Sequence, residues 1–486
     1  MKKVFYVLIV LMLAVCITSQ GRNLPKEKKA KYVFYFIGDG MGVNQVNGTE
    51  MYLAEKEGRI GIKPLNFTQF PVAGFATTYS KYNSVTCSAA AGTALATGMK
   101  TRNGVIGMDS LRQSPLYSVA VWAKKAGRKV GITTSVSVDH ATPAAFYAHQ
   151  PDRNMFYEIA TDLPKTGFDL YAGSGFLQLN NKKDGAAPKI YDILRDSGYV
   201  VLRGDKEFVA QSGKASKVVF IQQEGYDPAS LSYAVDRKPG ELSLSQITGN
   251  AIDFLSRDNR QGFFLMVEGG KIDWACHNND AATVFNEVVD MDEAIYQALD
   301  FYQKHPDETL IVVTADHETG GIGLGTGQYK MNLQTLQFQE ASKERLTAEI
   351  KQLRKEKNNR VEWEDVRDLL ATRMGFWNEV KISEKQEKEL KDVFRKTFNG
   401  QEVELEKSLY SADEPLAGKA VRILNEIAMV GWTSDSHTAG LVPVFAIGAG
   451  SALFQGKMDN TDIPRKIAEA AGYEILNEKQ VVKSEK

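Results

Sequence analysis

Cysteine is scarce in this chain. There are three in 486 residues, and Cys16 lies in an apolar N-terminal stretch, which leaves Cys87 and Cys276. Two cysteines allow one disulfide by count, so a disulfide framework is excluded and an apolar core must hold the fold. Both lie beside candidate site residues, which suits small thiols shaping a site better than a bridge. An excess of either charge is also lacking. Lys and Arg number 59 against 60 Asp and Glu, a net charge of −1. Nothing global therefore recruits nucleic acid or an anionic membrane. No internal repeat and no low-complexity tract is present, which excludes solenoids and arrays. Histidine is rare at six, so where the histidines fall carries information.

The one long apolar run is N-terminal. Lys2 and Lys3 precede Val4 to Ile17, and Thr18-Ser19-Gln20-Gly21 is a small or polar exit. The run is short for a spanning helix and has the plan of a secretory signal over residues 1–20. A periplasmic or secreted protein is expected. Lipidation at Cys16, which would tie the chain to a membrane as a lipoprotein, is the minority alternative.

The rest has ordinary globular composition, 43% hydrophobic and 24% charged, enough for a large core. Continuous apolar runs at Lys31–Ile37 and Gly262–Val267 read as buried strands, the first covered on both faces, and Thr309–Thr314 and Leu441–Ile447 also read as strands. Between them lie helical patterns at Ser118–Ala126, Leu242–Arg257 and Asp280–Lys304. A strand at Val130–Val136 leads through Asp139-His140-Ala141-Thr142-Pro143 into a helix-like stretch to Arg153, and further α/β units fall at Gly167–Gly173, Ala186–Gly198 and Lys217–Gln222. Strands alternating with helices predict an α/β fold, doubly wound, with a mostly parallel central sheet and helices on both faces. Residues 30–486 are expected to form one catalytic domain. It is interrupted at about 328–430 by a helical insertion whose Gln339–Thr397 part is rich in Lys, Glu, Arg and Gln. A solvated cap without chemistry is the expectation for the insertion, with control of site access as its testable role.

Functional candidates gather at the strand ends, where open α/β sheets place their sites. Asp39 follows the first run in Gly38-Asp39-Gly40-Met41-Gly42. Glu268 follows the second, with Asp273 and His277 one helical turn apart beyond it. Asp316 and His317 follow the third. His437 differs, lying just before its strand. His277, His317 and His437 are half of the histidines and all stand in loops beside acids. Imidazole with carboxylate suits zinc, and oxygen-rich sets suit magnesium. His149 is expected to be structural and His305 to lie on the surface.

The stretch Asn83–Gly104 puts Ser88 at the head of a run of small residues that reads as a helix stopping at Asn103-Gly104. A serine there ordinarily caps the helix. It also sits at the positive end of the helix dipole, where an alkoxide or phosphate is stabilised. Two divalent ions about 4 Å apart can clamp the attacking and leaving oxygens of an in-line phosphoryl displacement. Arg153 could hold two phosphate oxygens in a bidentate grip.

The chain resembles the alkaline phosphatase family, the secreted metal-dependent phosphomonoesterases. The likeness rests on IGDGMG at Ile37–Gly42, VTCSAAAGTALATG at Val85–Gly98 and HATPAAFYAH at His140–His149. VEGGKID at Val267–Asp273, TADHE at Thr314–Glu318, HTAG at His437–Gly440 and SALFQG at Ser451–Gly456 extend it. By that resemblance Ser88 is the nucleophile, passing through a phosphoserine, and Arg153 clamps the phosphate. Asp273, His277 and His437 match the ligands of one zinc, and Asp39, Asp316 and His317 those of a second. Asp39, Thr142 and Glu268 match a third site, usually magnesium. The resemblance implies small phosphate monoesters as substrates, an alkaline optimum and, in many members, a homodimer. No nucleic-acid-specific binding is implied. Cys87 stands where many members have aspartate. His140 and Trp274, beside the substrate phosphate, stand where one bacterial form has aspartate and lysine. A phosphodiesterase or nucleotide pyrophosphatase of the same superfamily is the alternative; filled Thr142 and Glu268 positions favour the monoesterase. A sulfatase and a non-catalytic metal- or phosphate-binding protein rank lower.

Overall fold

The computed structural model describes residues 29–327, 329–398 and 403–477. The expected signal at 1–20, Cys16 and all but the first of the last ten residues lie outside the described residues. No helix among the described residues is long and apolar enough to cross a membrane.

Ten strands form one sheet. Eight come first in the chain: β1 (Tyr32–Gly38), β2 (Val72–Thr77), β3 (Lys129–Thr134), β4 (Leu170–Gly173), β5 (Val200–Arg203), β6 (Val218–Ile221), β7 (Phe263–Gly269) and β8 (Thr309–Ala315). Val442–Gly448 and Gly456–Asp459 complete it. From one edge the order is Gly456–Asp459, β2, Val442–Gly448, β8, β1, β7, β3, β4, β6, β5. All neighbours pair in parallel except Val442–Gly448, which runs against both β8 and β2.

Every residue of β1, β7 and β8 is buried, as continuous apolar runs require when both faces are covered. Neighbouring residues on β1 show the two covers. The Phe34 ring packs on Phe301 of helix Ala281–Lys304, at 5.6 Å between centroids. The Tyr35 hydroxyl points the other way and donates to Leu95 O of helix Ser88–Thr97.

Three expectations need correction. Helix Ser88–Thr97 stops at Gly98, not at Asn103-Gly104. Gly98 has φ of 71° and donates its N–H to Ala94 O, a stop that glycine makes without strain. Asn103 serves the other end, its side-chain oxygen accepting from Cys87 N at 3.2 Å. The segment after His140 is helical only over Ala141–Ala144 and then turns. His305 is not a plain surface residue, because it caps the long helix and packs on Tyr32 and Phe301.

The charged segment holds helices Lys343–Glu356, Trp363–Met374 and Glu384–Thr397. It is not simply solvated. Leu346, Ile350, Val366, Leu370 and Leu390 are fully buried, and all three helices lie against helix Pro415–Ala428. Arg354 grips Glu414 with two nitrogens, each at 3.1 Å. The backbone N–H of Lys343 and the Gln339 amide donate to Asp280, at the head of the long core helix. After it, Glu406–Lys407 and Ala412–Asp413 pair as a small hairpin.

Candidate active site

The site lies at the carboxyl ends of β8, β1, β7 and β3, four neighbouring strands. Asp39 follows β1 and its N–H continues the ladder to Gly269 O. The turn beyond needs glycine: Gly40 has φ of 71°, and a Cβ there would meet Asp273 Cα at 2.9 Å. Its N–H donates to Asp316 Oδ1, so one tight turn brings the ends of β1, β7 and β8 together. Helix Lys271–His277 then sets Asp273 and His277 on one face, 3.3 Å apart.

His437 reaches this place because its strand is reversed. An antiparallel strand begins at the end where parallel strands finish, so a residue just before Val442–Gly448 joins residues just after β1, β7 and β8. A two-residue ladder, His437 opposite Thr319 and Thr438 opposite Glu318, holds it there. The His317 and His437 rings stack at 3.6 Å.

Ser88 is fully buried as the first residue of its helix. Its hydroxyl does not cap the helix. Oγ lies 3.3 Å from His317 Nε2, facing the acid and imidazole cluster. That leaves the helix N-terminus free to stabilise negative charge.

Three groups of side chains place their donor atoms within 4.8 Å of one another: Asp39 with Asp316 and His317; Asp273 with His317 and His437; and Asp39 with His140 and Glu268. His277 adjoins the second, its Nε2 lying 3.2 Å from that of His437. Thr142 lies beside the third, with its hydroxyl 3.4 Å from Asp39 Oδ2. All the residues singled out as ligands in the sequence therefore meet in one place. His140, a member of the third group, also meets Arg153, whose Nη2 is 3.4 Å from His140 Nε2.

The donor set fits divalent cations. Asp39 Oδ1, Glu268 Oε1, Asp273 Oδ2, Asp316 Oδ2 and His140 Nδ1 are buried without a hydrogen-bond partner. Orphans of this kind are costly unless something charged completes them. The histidines agree. Nδ1 of His277 faces Asp435 O at 2.5 Å, and Nδ1 of His437 faces Thr86 O at 2.9 Å. A carbonyl only accepts, so each Nδ1 carries a proton and Nε2 is the nitrogen left to bind a cation. This is the orientation that metal-ligating histidines are given by their outer partners.

Charges crowded here shift the carboxyls strongly. Burial raises Asp39 and Asp316 well above the usual carboxylate range, and neighbouring acids push them further. Burial lifts Glu268 to about 7, against hydrogen bonds from Thr134 and Thr142. Burial also pushes Asp273 up, but the imidazoles of His277, His437 and His317 outweigh it and hold it low. Burial pulls His140 down to about 3, helped by Arg153.

Several residues here were not singled out in the sequence. The Thr319 hydroxyl donates to Asp273 Oδ1 at 2.6 Å, and Thr134 donates to Glu268. Glu318 accepts from the Gln45 amide and from Thr438, tying the His437 loop to β8. Glu318 closes TADHE and Thr319 follows it, so chain position was their signal. Tyr410 had none. It lies at the tip of the Glu406–Asp413 hairpin, inside the segment expected to carry no chemistry. Its ring stacks on Trp274, 4.5 Å away and tilted 14°, and its hydroxyl accepts from Arg153 Nη2 at 3.2 Å. Beside it, Val85, Thr86, Asn103, His277, Lys407, Leu409, Ser436 and His437 line a cavity of about 410 Å³. Cys87 and Cys276 are both free thiols, so the one disulfide that counting allowed is not formed. Cys87 accepts from Gly104 N and Cys276 from the Gln45 amide. His149 is structural, its Nδ1 bonded to Gly107 O at 2.7 Å.

Acids shared between clusters this close are what an enzyme needs to hold more than one divalent ion around one reacting oxygen. The class defined by this fold and site is a metal-dependent hydrolase built on an α/β sheet, with a serine at its centre. The alkaline phosphatase family model matches residues 30–473, and the chain belongs to that family. It is 33% identical to alkaline phosphatase 4 of Bacillus subtilis over 91% of this chain and 90% of that one. With alkaline phosphatase 3 of the same organism the figures are 30%, 95% and 94%. Among solved structures, the cold-active alkaline phosphatase of a psychrophilic Shewanella species matches with a TM-score of 0.76 at 28% identity. The match covers 90% of this chain and 99% of that one. The protein is thus a phosphatase, and phosphomonoester hydrolysis is its supported activity.

Proposed function

We propose that the protein hydrolyses small phosphate monoesters to alcohol and inorganic phosphate through a phosphoserine on Ser88. The observation that carries this is Ser88 Oγ, buried at a helix N-terminus and 3.3 Å from His317 Nε2, among orphaned carboxylate oxygens. Asp273, His277 and His437 would hold one zinc, Asp39, Asp316 and His317 a second, and Asp39, Thr142 and Glu268 a magnesium. Bound there, the ions supply a lowered pKa for hydroxyl and water and positive charge for the developing negative oxygens. The chain does the rest. Ser88 Oγ attacks phosphorus in line, forming the Ser88–phosphate bond as the ester oxygen departs as alcohol. Arg153 grips two phosphate oxygens and aligns them. The N-terminal N–H groups of helix Ser88–Thr97 face the growing charge. Water then attacks the phosphoserine from the side the alcohol left, releasing phosphate and restoring the Ser88 hydroxyl.

His140 stands close enough to Asp39 and Glu268 to join the third site, which makes its metal choice open to an imidazole ligand. The basic and apolar N-terminal residues support export, so the periplasm or the exterior is the expected place of action.

The test is hydrolysis of p-nitrophenyl phosphate beside its bis-ester, with and without chelator. Fast monoester turnover is expected, lost on chelation and regained with zinc and magnesium. Ser88→Ala should reduce it by roughly 10²-fold or more. Preference for the bis-ester would instead place the chain with the diesterases.

A further inference from the structure

We propose that Tyr410, supplied by the hairpin after the charged helices, is the positioning residue that holds Arg153 ready for phosphate. The inference rests on the phosphomonoesterase reading given above.

Arg153 lies in a loop, with its backbone N–H fixed on Gly104 O. Its guanidinium makes no ion pair among the described residues. Nη2 alone is engaged, by the Tyr410 hydroxyl at 3.2 Å and by His140 Nε2 at 3.4 Å. A long side chain without an acid partner has many rotamers to lose when it binds a ligand. Fixing one nitrogen beforehand, while the other donors stay free, pre-pays that cost and keeps the fork that matches a phosphate.

Tyr410 is able to fix it because Tyr410 is itself held. Its ring stacks on Trp274 at 4.5 Å and meets the rings of His140 and His277 at 5.8 Å and 5.5 Å. The hairpin tip is clamped on either side of it. Ser408 and Ser411 both donate to Asn278 Oδ1, at 3.0 Å and 2.8 Å. Asn278 follows His277 directly, at the end of the helix that carries Asp273, His277 and Trp274. The hairpin's feet are anchored too, Glu406 by Arg422 and Asp413 by Lys343. Tyr410 thereby ties the guanidinium to the helix that bears two candidate metal ligands. This gives the chain that follows the charged helices a purpose beyond packing on helix Pro415–Ala428.

The experiment compares wild type, Tyr410→Phe, Arg153→Ala and the double variant, all loaded with zinc and magnesium. Phe keeps the stack on Trp274 and removes only the hydroxyl, so the thermal midpoint should stay at the wild-type value. Kd for inorganic phosphate, by calorimetry, and KM for p-nitrophenyl phosphate should rise roughly three- to tenfold, with a smaller fall in kcat. In the Arg153→Ala background the second change should add nothing, because the hydroxyl acts only through the guanidinium. Unchanged phosphate affinity in Tyr410→Phe would overturn the proposal. So would equal losses in both backgrounds, or a lowered melting point accounting for the loss. If wild type turned over no monoester, the functional reading would fail. The phosphate Kd values would still decide the Tyr410 question.

Discussion

His277 and His437 turn their Nε2 atoms to each other across 3.2 Å, each Nδ1 being taken by a carbonyl. Asp273 adds negative charge beside both. Two such nitrogens can share that space only with a proton or a cation between them, and a metal ion serves both and the carboxylate at once. Removing one imidazole of that arrangement should therefore show as lost metal before lost fold. His437→Ala is expected to weaken zinc binding by about 10- to 100-fold, read by competition with a chelating dye, while Ser88 stays in its helix. Undiminished zinc affinity would place the ion elsewhere. Asp39 and Asp316 were legible in the sequence because an acid right after a buried apolar run sits at the strand end where such sheets place their sites. Tyr410 was not. It is 257 positions from Arg153, its hairpin has strands of only two residues, and no periodicity marks it.

The reversed strand Val442–Gly448 and helix Ser88–Thr97 each explain one thing the linear reading left odd. His437 precedes its strand because that strand runs against β8. The runs that became β1, β7 and β8 were readable as strands from apolar content alone, but direction depends on pairing, which a single segment does not carry. Helix Ser88–Thr97 is short because Gly98 takes the left-handed conformation, whereas two later candidates, Asn103 and Gly104, look equally able to stop it. Its small residues serve close approach. A Cβ on Gly92 would sit 3.3 Å from both Ala145 Cβ and Thr142 Cα. Gly92→Val is expected to push the helix away from Ala141–Ala144, costing about 1–3 kcal/mol and moving Ser88 from His317. Denaturant unfolding with parallel kinetics checks it. Wild-type stability and turnover would mean the helix has slack.

Across the whole molecule, the buried acids make stability depend on pH in opposite senses with and without metal. The folded protein holds Glu268 at about 7 against an ordinary 4.5, and burial raises Asp39 and Asp316 as well. Between those limits the folded state binds more protons than the unfolded one. Stripped protein therefore loses stability as pH rises through that window, by on the order of 3 kcal/mol for Glu268 alone. Thermal unfolding of chelated protein should show the acid contribution at pH 5 fading towards pH 8, and Glu268→Gln should flatten the change. Zinc and magnesium should reverse the trend, since metal binding favours deprotonated ligands. A Glu268→Gln profile identical to wild type would contradict the assignment. The most direct test of Ser88 as nucleophile is acid quenching of the metal-loaded protein during turnover, followed by mass spectrometry of its peptides. Phosphate on Ser88 is expected, absent after chelation. Phosphate on another residue, or full turnover by Ser88→Ala, would contradict it.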